Sequence, residues 1–341
     1  MATTSIPTTF QELYTDLADR VRVSVSDAAI LVLLKRYINA ALQEVHIERN
    51  WPWAERRNFI QTNADYAVGT VAIALTARTT VTGTDSLWNT AVTGMGFNNT
   101  RAGGKLKFAG ADDVYEVSSV GSDTAITLVE RFVGTAALTT STYVYFEDEY
   151  ALETDFWRPV DLRRFTQAFD LPIVSRKEFY RAFPKNSTPG TPRICTIIDL
   201  APSGAVGTRP RLLLAPPPTS IINIPYRYIT TNLAVSSAGA EAVSLSADAD
   251  EPIIPVRYRN VLVHWAAAQW YRDRKDDTRY ETCRREYMEQ IVRMGSDTGP
   301  DRDHPKFLVS KAPYLRNVAG GRGGGSRRYV SPGSAFDELR A

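Results

Sequence analysis

The chain has 341 residues, 43% hydrophobic and 23% charged, the composition of a folded globular protein able to bury about three quarters of its unfolded surface. A net charge of +2 supplies no bulk electrostatic drive toward nucleic acid or a membrane surface. Two distant cysteines, Cys195 and Cys283, argue against a disulfide framework and for buried thiols in a reducing compartment.

Met1-Ala-Thr-Thr-Ser5 has neither the basic nor the apolar region of a secretion signal. Thr9-Phe-Gln-Glu12 is a capping box, and Leu13, Leu17 and Val21 follow on one helical face. Ser26-Asp27 caps a second, longer helix striped by Ile30, Leu34, Ile38, Ala41, Leu42 and Val45. Its apolar run Ala28–Leu34 is stopped by Lys35-Arg36 and is too short to span a bilayer. Trp51-Pro-Trp53 ends the helix, because proline disfavours helical backbone at the preceding residue.

From about Thr62 to Phe146 the period changes from helical to two. Short strand candidates lie at Thr70–Leu75, Leu106–Phe108, Val114–Val117, Ala125–Leu128 and Tyr143–Phe146, each bounded by turn residues. Short strands at close spacing predict an inserted small barrel or sandwich. Beyond Tyr150, a short helix is predicted over Ser175–Phe183. Strands follow at Ile194–Ile198, Arg211–Leu214 and Ile222–Ile229, and Pro216-Pro-Pro218 terminates the middle one. Ser236–Asp250 is small and polar and reads as a surface loop.

Pro255–Met294 organises the chain. Its first arm is apolar nearly all round through Tyr258, Val261, Leu262, Trp265, Ala266, Ala268 and Trp270, so it needs partners on nearly every side. Arg272–Asp277 turns the chain into a second helix striped by Tyr280, Cys283, Tyr287, Ile291 and Met294, with Gly295 as the expected stop. From Asp297 to Ala341 no packed element is legible, and Gly, Pro, Arg and Asp dominate.

No catalytic constellation emerges. His46, His264 and His304 are not at metal-ligand spacing, and neither cysteine lies in a reactive motif. Gly103-Gly-Lys105 lacks the upstream glycine and following helix of a phosphate loop and reads as a hairpin turn. Glu147-Asp-Glu149 has the donors for a hard cation but is expected to be a solvated strand end. No cofactor, metal or membrane association is expected.

One resemblance spans most of the chain to about Met294. Phe10-Gln-Glu-Leu13, Arg36–Val45 and Trp51-Pro-Trp53 open it. Gly69-Thr-Val71, Thr80–Thr84, Leu87-Trp88, Tyr115-Glu-Val117 and Thr124–Leu128 follow, then Tyr150–Pro159, and Val261–Ala268 with Tyr271-Arg-Asp-Arg274 close it. Their order resembles that of head–tail adaptor (connector) proteins of tailed phages, and the middle group is similar to a small β module of phage virion proteins. The resemblance implies a homo-oligomeric ring, usually a dodecamer, in the virion neck and assembled in the host cytoplasm. Its partners would be the portal protein and tail or head-closure proteins, and genomic DNA would pass without sequence-specific binding. It brings no catalytic residues.

The expected architecture is therefore α+β: a helical bundle from both chain ends, an inserted β domain, a second β-rich region and an extended tail. The boundaries are 1–58 and 252–296 for the bundle, 59–148 for the insertion, 149–251 for the connecting region and 297–341 for the tail. Leu34, Ile38, Trp265, Trp270 and Tyr287 are the expected ring core. Arg322, Arg327, Arg328, Tyr329 and Phe336 are the tail residues expected to meet the portal. The alternative is a carbohydrate- or receptor-binding virion module, with Trp88, Tyr115 and Tyr143 of the insertion as stacking rings.

Overall fold

The computed structural model describes residues 6–162, 171–200 and 209–298. Helices α1 (Phe10–Val21) and α2 (Ala28–Glu48) come first. Strands β1 (Glu55–Gln61), β2 (Thr70–Ile73), β3 (Thr80–Thr84), β4 (Lys105–Phe108), β5 (Val114–Ser122), β6 (Ala125–Leu128), β7 (Leu138–Ser141) and β8 (Tyr143–Phe146) follow. Then come β9 (Glu149–Ala151), β10 (Phe156–Leu162), α3 (Arg176–Ala182), β11 (Ile194–Leu200), β12 (Arg209–Ala215) and β13 (Asn223–Thr230). Helices α4 (Asn260–Asp273) and α5 (Asp277–Thr298) close the described part. The chain divides into two compact units, residues 1–287 and 288–341.

The capping box forms as read. Thr9 Oγ1 accepts from Glu12 N at 3.3 Å, and the Glu12 carboxylate accepts from Thr8 N at 2.6 Å and Thr9 N at 3.3 Å. These hydrogen bonds hold the Glu12 carboxyl below its ordinary range. Asp27 caps α2 by accepting from Ala29 N at 2.9 Å. At the other end Trp51 Nε1 donates to Val45 O at 2.5 Å, satisfying one of the carbonyls that a helix end leaves unpaired.

Helix α4 packs against both α1 and α2. Buried Arg259 joins them locally, donating to Ile254 O at 2.9 Å, to Pro252 O at 3.0 Å and to Thr8 O. The covered face of α4 is Val261–Val263, Ala266–Ala268, Trp270 and Tyr271, whereas His264, Trp265 and Gln269 are only half-buried. Helix α5 does not stop at Gly295 but runs through it to Thr298. An interior glycine costs only about 1 kcal/mol. The hydroxyls of Ser296 and Thr298 meanwhile donate to Arg293 O at 2.8 Å and Met294 O at 2.7 Å.

Strands β2 to β8 form one curled, fully antiparallel sheet, in the order β7-β2-β3-β6-β5-β4-β8. Its ends stay unjoined, so it is a half-barrel. Trp88, Phe108, Tyr115 and Tyr145 fill the inside. Two further three-stranded sheets, β1-β13-β10 and β11-β12-β9, lie outside it. β13 joins β1, which precedes the half-barrel strands in the chain, to β10, which follows them. The region expected as a loop, Ser236–Asp250, contributes to a small third sheet in which Ala234–Val235 pairs with Glu241–Ala242 and with Glu251–Pro252.

His46, at the end of α2, stacks on Trp157 with ring centroids 4.5 Å apart. Burial lowers its pKa from 6.5 to about 4. The folded protein therefore keeps the ring neutral where the unfolded chain protonates it. Stability is expected to be full above about pH 6.5 and to fall by roughly 2–3 kcal/mol as the pH drops toward 4. Urea unfolding of the wild type and His46→Leu across that range checks this, and equal slopes would refute it.

Candidate functional site: an ion-pair seam and an uncovered helix face

Glu147-Asp-Glu149 is not a solvated strand end. Glu147 is 6% and Asp148 1% exposed, at the point where β8 hands over to β9. Arg101 grips Glu147 with two guanidinium nitrogens, its Nε at 2.9 Å from Oε1. Tyr145 OH and Asn63 Nδ2 donate to the same oxygen at 2.5 and 3.2 Å. Lys105 Nζ lies 2.8 Å from Asp148 Oδ1 and 3.2 Å from Glu149 Oε1. Asn186 Nδ2 donates to Asp148 Oδ2 at 3.0 Å and to Leu214 O at 2.8 Å.

Local sequence explains where Lys105 sits. Gly103 adopts φ +84° in a turn with Ala102 that ends the long loop after β3, and Lys105 is the first residue of β4, so the segment expected as a hairpin turn is a turn leading into a strand. At Gly104 a Cβ would lie 2.2 Å from Tyr145 OH, so only glycine lets that ring reach Glu147. Burial pushes the Asp148 carboxyl up against the opposing pull of Lys105. Burial also pulls the Lys105 ammonium down, but Asp148 and Glu149 outweigh it and its pKa is raised. The stabilisation from Lys105 is thus complete below the ordinary lysine value, about 10.4, and is lost as the pH climbs through the raised one.

This seam ties the half-barrel to the β11-β12-β9 sheet. Each carboxylate of the acidic triplet is engaged by a cation, so the arrangement braces sheets and offers no free base or nucleophile. Among the described residues no group of three or more His, Cys, Asp or Glu is placed to hold a metal ion. Both cysteines are free and buried, and burial raises the Cys195 thiol to about 12. His264 Nδ1 lies 2.9 Å from Glu286 Oε2, far in sequence from His46, and His304 is outside the described residues.

Of the expected ring-core residues, Leu34 and Ile38 are fully buried, Trp270 is 3% and Tyr287 5% exposed, and Trp265 is half-buried. Trp270 is sandwiched by chemistry: the Arg274 guanidinium lies 3.3 Å from its ring centroid, and Tyr37 meets it edge-on at 6.1 Å. About half a turn from the Leu34–Val45 stripe of α2, Val32 is 68% and Ile47 59% exposed. Arg322, Arg327, Arg328, Tyr329 and Phe336 lie outside the described residues. The rings that a glycan platform would need are in the half-barrel core. Trp88 Nε1 donates to Tyr143 OH at 2.7 Å, and Tyr115 is 3% exposed.

Packed helices, a curled half-barrel sheet and ion-pair-braced smaller sheets define a mixed α+β protein. Residues 123–304, more than half of the chain, match the SU10 adaptor protein family, and the chain belongs to that family. It is thus an adaptor-type phage protein with a structural role in the virion. No curated relative matches the sequence.

Proposed function

We propose that this chain is the subunit of a head-to-tail adaptor ring, a dodecamer between portal and tail that continues the DNA channel. The observation that carries the reading is apolar helix surface left uncovered among the described residues: Val32 and Ile47 on α2, and half-buried Trp265 on α4. In a ring the contact is heterologous, one patch meeting a different patch on the next copy.

In this reading Ser26–Asn50 and Val256–Met294 form a helical bundle that is the ring body. The insertion, residues 59–148, projects toward tail or head-closure proteins. Residues 297–341, with Arg322, Arg327, Arg328, Tyr329 and Phe336, reach onto the portal. A net charge of +2 suits a channel through which DNA slides without sequence-specific contact.

Native mass measurement with negative-stain imaging, with and without purified portal, tests this. Rings, or monomers that become rings when portal is added, are expected. A compact monomer indifferent to portal overturns the reading. Deleting residues 297–341 should weaken portal attachment and leave the helices folded, and undiminished attachment would remove the tail from the proposal.

A further inference from the structure

Strand β1 offers an open edge. Thr62 N donates to Ile222 O, and the register Ile60↔Ile224, Asn58↔Tyr226 and Arg56↔Tyr228 keeps the even-numbered residues facing β13. The peptide groups of Arg57, Phe59 and Gln61 therefore face the other way, where no strand pairs with them among the described residues. Glu55–Gln61 has no proline and no bulge, two common protections of an exposed edge. The Phe59 N–H is occupied only by the neighbouring Asn58 Oδ1 at 2.8 Å, and its side chain is 59% exposed.

Beside this edge lies a cleft of about 360 Å³, lined by Phe59–Gln61, Arg101–Gly103 and Glu149–Ala151. Glu149–Ala151 is β9, itself the outermost strand of its sheet.

We infer that the edge of β1 is completed by an extended segment of another copy of this chain, residues 306–311, inserted between β1 and β9. In the 43 residues from 299 to 341, Lys306-Phe-Leu-Val-Ser-Lys311 has strand-forming side chains, with Phe307 and Val309 alternating against Leu308 and Ser310. Pro305 and Pro313 bound it, which limits a ladder to that stretch. The occupant supplies main-chain hydrogen bonds to Arg57, Phe59 and Gln61, and one of its faces covers the Phe59 ring. This rests on the ring reading only in that the ring supplies the neighbouring copy.

Full-length single variants Phe59→Cys and Val309→Cys, mixed and mildly oxidised, test the contact. Cys195 and Cys283 are buried, so the wild type serves as the blank. A mixed disulfide is expected at least about tenfold above that of Phe59→Cys with Ser334→Cys, and equal or absent cross-linking overturns the inference. Val309→Pro removes a ladder donor and should weaken association between copies about tenfold, with the thermal unfolding midpoint unmoved. Unchanged association overturns it as well. Rings without the cross-link would leave the ring standing and remove the strand, whereas the cross-link without rings would do the reverse.

Discussion

Replacing Trp270 with alanine is expected to lower the unfolding free energy by about 3–5 kcal/mol, whereas Trp265→Ala should cost about half as much. Both residues lie on one helix and both are tryptophans, so the contrast reads their burial and ring contacts. Trp270 is 3% exposed and carries the Arg274 guanidinium on its face and Tyr37 at its edge. Tyr37 is itself fixed by donating its hydroxyl to Asp273, so the loss reaches the end of α4. Trp265 is only half-buried and surrenders less when truncated. Equilibrium urea unfolding measures both. Equal losses would mean that Trp265 is as well covered as Trp270. In the proposed ring Trp265→Ala should instead act on assembly, weakening copy-to-copy association while the fold survives.

Lys105→Met should cost a comparable 3–5 kcal/mol, because it leaves the 1%-exposed Asp148 carboxylate without its cation. Asn186 still donates to Asp148, but an amide cannot neutralise it. The paired change Lys105→Met with Asp148→Leu should recover most of the loss, since two buried charges are then replaced by apolar groups. Equilibrium denaturation of the two single variants and the double variant forms a thermodynamic cycle. A harmless Lys105→Met would show that the seam is hydrated and that Asp148 is not confined. The raised Lys105 value adds a second check: the wild type should lose stability at alkaline pH through this ammonium, and the double variant should not share that loss.

The seam also shows why part of the architecture stayed hidden in the chain. Glu147-Asp-Glu149 was expected to be solvated because three adjacent carboxylates repel one another unless cations reach them. Arg101 and Lys105 are more than 40 residues away in sequence, and nothing near Glu147 announces them. Strand β1 was missed for a related reason. Glu55-Arg-Arg-Asn58 has no apolar alternation, and it is a strand because β13 pairs with it across more than 160 residues.

What residues alone determined is whatever is settled within a turn or two. The capping box at Thr9, the Asp27 cap and the alternation of Ile224, Tyr226 and Tyr228 each depend on neighbours a few positions away. Only the tertiary structure decided which charges are buried, which tryptophan on α4 is covered and where a sheet edge remains open. Those outcomes turn on desolvation and on long-range pairing, and both depend on groups that sequence separation conceals and the fold brings within a few ångströms.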